Sequence, residues 1–238
     1  MMSLQGVLFD LDGTLYDYDL CHQNALDYAA QVAERELGLE HREFNELYKE
    51  SRHVIHQRLS GTASSHSRLL YFNELVFSCK KKPFIPVVIL LERAYWTTFF
   101  KNMRIYPGVF SLLKKLRSSA VKLALVTDMT AAIQFEKIKL LKLTNMFDVV
   151  ITSEEAGYEK PNPIIFEICL KKLNIDAVSA IHIGDDYQRD IVGAEVTGIK
   201  SMLFISENKV ATRNDIKIIR SFPELEGILM AMLQREGR

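Results

Sequence analysis

Cysteine is scarce in this chain, and its placement excludes a disulfide scaffold. Cys21, Cys79 and Cys169 are odd in number, widely spaced and form no C-x-x-C pair. They read as reduced packing residues of a cytoplasmic protein. Neither sign of charge is in excess, with Lys+Arg and Asp+Glu at 30 each in 238 residues. The lack of a basic surplus argues against a nucleic-acid partner and against an anionic membrane surface. Long apolar runs are missing too: the longest, near Pro86 to Leu91, is much too short to span a bilayer. The first residues lack a basic segment and a small-residue cleavage site, so no signal peptide is expected. Internal repeats and low-complexity segments are absent as well. What remains is ordinary globular composition, 48% hydrophobic and 25% charged, enough for a sizeable core in one or two domains.

The most informative stretch is Val7-Leu8-Phe9-Asp10-Leu11-Asp12-Gly13-Thr14-Leu15. Val7 to Leu11 reads as a short buried strand closed by a turn signal. Alternation along a strand sends Asp10 and Asp12 the same way and Leu11 into the core. Two neighbouring carboxylates repel unless one takes up a proton or a cation binds both. Oxygen ligands of this kind suit Mg²⁺.

After Leu15 the pattern turns helical. Helices are expected over about Asp19 to Leu37, stopping at Gly38, then Arg42 to Leu59, Ser65 to Cys79, and Pro86 to Met103. Four amphipathic helices with short connections make a small bundle, with Trp96, Phe99 and Phe100 in its core. From Val109 the rhythm is alternating helix and strand. Strands are expected at Val121 to Thr127, Asp148 to Thr152, Ser179 to Gly184 and Lys200 to Phe204. Helices are expected at Val109 to Ser118, Ala131 to Leu143, Pro163 to Leu173, Arg189 to Val196 and Pro223 to Leu233. Such alternation argues for an α/β fold whose parallel sheet is covered on both faces. The expected core domain is 1–15 with 107–238, and residues 16–106 form an inserted helical domain.

Parallel sheets bind ligands at the carboxyl ends of their strands, so the residues there matter most. They are Asp10 and Asp12, then Thr127-Asp128, then Glu159-Lys160-Pro161-Asn162-Pro163, then Gly184-Asp185-Asp186 with Asp190. A lysine on a proline-stiffened loop at a helix start suits a phosphate. An acid cluster behind a glycine suits a hard divalent cation. Each feature alone has an ordinary reading as a loop lysine, a strand-end hydroxyl or a turn acid. Four of them, each following a strand, point together to phosphate chemistry.

The order D-x-D-G-T, a hydroxyl residue after a strand, a Lys-Pro loop and G-D-D-x-x-x-D resembles the haloacid dehalogenase superfamily, over the whole chain. The resemblance implies a doubly wound, Rossmann-like parallel core with the first strand central, and a helical cap inserted after the first motif. It implies Asp10 as the nucleophile and Asp12 as the general acid and base. It places Mg²⁺ on Asp10, Asp185 and the backbone carbonyl of Asp12, and phosphate oxygens on Thr127, Asp128 and Lys160. Asp190 would fix Lys160 or a metal-bound water, and Asp186 would be a further ligand or a plain N-cap. Many relatives have Asn where this chain has Asp128, an added carboxylate near a phosphate unless it turns away. The acid at Asp12 favours phosphoryl transfer over halide displacement. In the cap, Tyr16 and Asp17 could line the entrance, and His66 and Arg68 lie in a hydroxyl-rich, cationic connection that could grip an anionic leaving group.

The expected activity is thus that of a Mg²⁺-dependent phosphatase of small phosphorylated metabolites, sugar phosphates or nucleotides, working as a monomer or homodimer. A hexose-phosphate mutase of the same superfamily and a non-catalytic phosphate-binding protein are the alternatives.

Overall fold

The computed structural model describes residues 3–206 and 216–236; the stretch 207–215 of the expected core lies outside them. The chain divides into two compact units, Met1–Asp17 with Arg104–Arg238, and Tyr18–Met103.

In the first unit, β1 (Gly6–Phe9) is followed, after the inserted unit, by α5 (Val109–Ser118), β2 (Lys122–Thr127), α6 (Ala131–Leu140) and β3 (Val149–Thr152). Then come α7 (Ser153–Ala156), α8 (Pro163–Leu173), β4 (Ala180–Gly184), a π-type segment Tyr187–Val192, α9 (Gly193–Val196), β5 (Lys200–Phe204), β6 (Ile218–Ile219) and α10 (Phe222–Glu236). The strands form one sheet in the order β3-β2-β1-β4-β5-β6, parallel throughout. β1 is therefore central, with Phe9 beside Leu125 of β2 and Ile183 of β4. Leu8 points into a core with Ala124, Val126, Ile151, Ile165, Phe166 and Cys169. Its neighbours Val7 and Phe9 face the other side of the sheet and are equally buried. This is the parallel α/β sheet expected from the alternation, in the doubly wound form that the resemblance implies.

Differences from the expected elements are local. The helix expected from Arg189 opens instead with the π-type segment, and α6 stops at Leu140 because Lys142 turns left-handed (φ 59°). The two-residue β6 is too short to carry a pattern of its own.

The inserted unit holds α1 (Tyr18–Leu37), α2 (His41–Arg58), α3 (Arg68–Lys80) and α4 (Ile85–Asn102). Gly38 ends α1 with φ +74°. α3 starts three residues later than expected, since Ala63–His66 is a 3₁₀ turn and Ser67 caps the helix, accepting from the Leu70 N–H. Phe44, Phe72, Tyr95 and Phe99 fill the interior. Among the described residues no helix is long and apolar enough to cross a membrane.

His22 on α1 is half-buried in this aromatic interior, with Nδ1 2.6 Å from the Tyr95 hydroxyl. Burial, then the Arg68 and Arg52 charges, push its pKa down from 6.5 to about 3, against a weaker pull from Asp19. The unfolded chain takes up this proton near pH 6.5 while the folded unit refuses it until about 3. Stability therefore falls as pH drops through that window. Urea titrations of His22→Gln should show a shallower loss of stability between those pH values than wild type, and equal slopes would exclude His22 as the source.

Candidate active site

β1 ends at Phe9, and the next residue, Asp10, stays in register through its N–H, which donates to the Ile183 carbonyl at 2.9 Å. The buried Lys160 ammonium lies 2.6 Å from Asp10 Oδ1, 2.6 Å from Asp190 Oδ1 and 3.2 Å from the Val126 carbonyl. An ammonium has three N–H donors, and each finds an acceptor here. Asp190 also has Oδ1 3.2 Å from His182 Nε2, and its Oδ2 accepts from the Asp186 N–H at 3.0 Å. Gly184 leaves room for it, since a Cβ there would fall 2.1 Å from Asp190 Cγ.

Burial raises Asp10 well above the usual carboxylate range; Lys160 opposes this, while Asp190 and Asp185 add to it. Burial also works to raise Asp190, but Lys160 and His182 outweigh it and hold that carboxyl well below its ordinary value. Lys160 is raised well above its ordinary value: burial disfavours its charge, and Asp10 and Asp190 more than reverse that.

The turn after β1 brings in a third acid. The Thr14 hydroxyl lies 3.1 Å from Asp10 Oδ2 and 3.4 Å from Asp185 Oδ1. Gly13 between them has φ +91°, and a Cβ on it would meet Asp185 Oδ2 at 2.2 Å, so only glycine fits this turn. Oxygens of Asp10, Asp185 and Asp190 come within 4.8 Å of one another. Three acids face one ammonium, an excess of negative charge on hard oxygen donors, which fits a divalent cation such as Mg²⁺. Asp190 is engaged by Lys160, His182 and the Asp186 N–H, while Asp10 and Asp185 lie together across the Thr14 hydroxyl.

Asp12 does not join this cluster through its carboxylate. It has a lysine of its own: Lys137 on α6, fully buried, lies 2.8 and 2.6 Å from its two oxygens. The Tyr16 hydroxyl donates to Oδ1, and Gln134 Nε2 reaches Oδ2 at 3.1 Å. Burial alone would raise Asp12, but Lys137, with Tyr16 and Gln134, lowers it below its ordinary value. Gln134 Nε2 also lies 2.6 Å from both Thr127 Oγ1 and the Asp128 carbonyl, so one buried amide joins the first and second motifs. Sequence reasoning missed Gln134 and Lys137. The available signal was their spacing: with Ile138 they form the i, i+3, i+4 stripe that α6 buries, and polar residues in such a stripe need partners.

The Asp128 carboxylate is turned to Lys160 and Arg189, accepting from the Lys160 N–H at 3.0 Å with Arg189 at 3.7 Å. Burial raises its pKa, with Lys160 opposing. Asp186 is exposed and caps the π-type segment, accepting from the Gln188 and Arg189 N–H groups. Tyr16, expected at an entrance, is instead fully buried, because its hydroxyl serves Asp12. Asp17 is half-buried at the end of the first unit. His66 and Arg68 belong to the helical unit, where the His66 carbonyl accepts from Arg68 at 2.7 Å.

A parallel α/β core with acids and a lysine gathered at the carboxyl edge of its central strands defines a class of phosphate-handling hydrolases. The chain belongs to the haloacid dehalogenase-like hydrolase family, which residues 7–204 match. It is 37% identical to ribulose-1,5-bisphosphate 5-phosphatase of Halopiger xanaduensis over 88% of each chain. It is 31% identical to glyceraldehyde 3-phosphate phosphatase of Methanothermobacter thermautotrophicus, over 95% of this chain and all of that one. The crystal structure of a HAD phosphatase from Thermococcus onnurineus superposes with a TM-score of 0.74 at 26% identity, covering 94% of this chain and 97% of the other.

Gly184→Ala should displace Asp190 from Lys160 and destabilise the protein by about 1–3 kcal/mol. Gly227→Ala, on α10 with open space around it, should stabilise by about 0.4–1 kcal/mol. Urea unfolding of both variants checks the contrast.

Proposed function

We propose that the chain is a Mg²⁺-dependent phosphatase of small sugar phosphates, acting in the cytoplasm, with the helical unit as the cap that selects the substrate. The observation that carries this reading is the Asp10 carboxylate, fixed at the sheet edge by Lys160, with a second acid two residues on held by a different lysine. The relatives' substrates, a phosphorylated ketose and a phosphorylated aldose, support the sugar class.

In this reading Asp10 attacks phosphorus. An Asp10 O–P bond forms as the ester P–O bond breaks, leaving an aspartyl phosphate that water then hydrolyses. Asp12 gives a proton to the leaving oxygen and takes one from the attacking water. The Thr127 hydroxyl and the Asp128 N–H hold phosphate oxygens, and Lys160 offsets their charge. Asp190 positions Lys160. The carboxylates of Asp10 and Asp185 and the backbone carbonyl of Asp12 would hold the Mg²⁺. When bound, the ion offsets the repulsion between a carboxylate and a phosphate dianion.

Lys137 has a positioning role in the same scheme. It holds Asp12 as an ionised acceptor, so Asp12 must take up a proton and loosen from Lys137 before it can act as the acid. Losing Lys137 leaves Asp12 misplaced, which matters most where the leaving oxygen needs a proton.

Phosphate release from a panel of sugar phosphates, with Mg²⁺ and with EDTA, tests the reading directly. Wild type should release phosphate only with the metal, and Asp10→Asn should lose more than about a thousandfold in kcat. No release from any phosphomonoester would overturn the proposal. Bisphosphate-activated isomerisation with little net phosphate would identify a mutase instead. Lys137→Met should lower kcat for a sugar phosphate by about a hundredfold but cut p-nitrophenyl phosphate turnover far less, because that leaving group departs without a proton. Equal losses on both would remove Lys137 from the proton-transfer step.

A further inference from the structure

Gln134 on α6 is fully buried, and its side-chain amide has uneven surroundings. Nε2 lies 2.6 Å from Thr127 Oγ1, 2.6 Å from the Asp128 carbonyl and 3.1 Å from Asp12 Oδ2. Oε1, on the other side, is buried with no hydrogen-bond partner. An acceptor left in that state costs stability, so the nitrogen side must impose the orientation. It does so because the Asp128 carbonyl and the Asp12 carboxylate, held ionised by Lys137, can only accept. Turning the amide over would set a third acceptor oxygen against both.

The consequence falls on the Thr127 hydroxyl at the end of β2. An amide nitrogen donates and has no lone pair to offer, so at 2.6 Å Thr127 Oγ1 must be the acceptor. Its own hydrogen then has to point away from Gln134. Among the described residues the acceptor it reaches is the Asp128 carbonyl at 3.5 Å, well beyond the roughly 2.7–2.8 Å usual for a hydroxyl donor. That carbonyl already accepts from Gln134. Thr127 thus receives a short hydrogen bond and gives only a long one, which keeps its proton available.

We propose that Gln134 is a positioning residue that fixes the Thr127 hydroxyl as a hydrogen-bond donor to a phosphate oxygen. The proposal rests on the phosphatase reading for the role of Thr127 and adds what makes that role one-directional. Without Gln134 the Asp128 carbonyl loses its amide donor and takes the Thr127 proton. The hydroxyl then turns a lone pair, not a proton, towards the incoming anion. Because the same amide reaches Asp12, its loss also touches proton transfer, but that part appears in kcat and not in the binding of inorganic phosphate.

The test is a double-mutant cycle on phosphate binding, read by calorimetric titration of the full-length protein with inorganic phosphate in the presence of Mg²⁺. Thr127→Val should weaken phosphate about tenfold and Gln134→Met about fivefold. The double variant should bind no more weakly than Thr127→Val alone, because the second change acts through a hydroxyl already removed. Losses that multiply in the double variant, or a Gln134→Met affinity equal to wild type, would overturn the proposal. If Gln134→Met does not fold, NMR of the wild type decides. The Thr127 hydroxyl proton should move downfield as phosphate saturates while the Gln134 amide protons stay protected from exchange, and an unmoved hydroxyl proton overturns the proposal. Binding needs no turnover, so the two readings separate. Non-additive phosphate binding in a protein that hydrolyses no ester would strike the phosphatase reading alone, and hydrolysis accompanied by multiplying losses would strike this one alone. A wild type that binds no phosphate overturns both.

Discussion

The ammonium of Lys160 sits 2.6 Å from both Asp10 and Asp190, and the three side chains are almost wholly buried. None of these charges could stay buried alone, and removing one partner from such a set typically costs about 3–5 kcal/mol. Four parts of the chain therefore depend on one nitrogen: the end of β1, the Val126 carbonyl of β2, the loop before α8 and the segment after β4. The strand order makes this possible, because β1 lies between β2 and β4. Gly184 and Gly13 serve the same arrangement by omission, one letting Asp190 close in and the other letting the turn pass Asp185.

The two acids of the first motif meet different surroundings although one residue separates them. Asp10 shares its lysine with Asp190, while Asp12 is paired with a second lysine, Lys137. Their pKa values accordingly move apart, Asp10 up and Asp12 down. These shifts run opposite to what an ionised nucleophile and a protonated donor need, so in the proposed scheme Asp10 depends on the Lys160 charge and Asp12 on release from Lys137. Here the separation is made by two lysines from different elements, and Gln134 ties the second environment to Thr127 and Asp128.

Much of this was legible in the sequence, for identifiable reasons. Short apolar runs ending in acids, with glycine and proline as punctuation, located the core strands within a residue or so. The residues that converge at Lys160 could be read because each directly follows a strand or opens a helix. Gln134 and Lys137 could not, since they lie a turn inside α6, where a polar residue usually means a solvated face. Tyr16 looked like an entrance residue because nothing in its neighbours announces the hydrogen bond to Asp12. How the Asp128 carboxylate is accommodated became clear only with Arg189 beside it, since that partner is sixty-odd positions away in the chain.

The join between the units has a mechanical meaning. The Tyr106 N–H donates to the Leu15 carbonyl at 2.9 Å, and Tyr16 and Ile105 pair as an antiparallel bridge. The two crossings of the chain are thus stitched to each other inside the first unit. A pull applied at the two termini runs through the sheet and this stitch, and bypasses the helices of the insertion. Under load the first unit must yield before the helical unit bears any tension, so the order of rupture is set by where the insertion is spliced and not by which unit is the more stable.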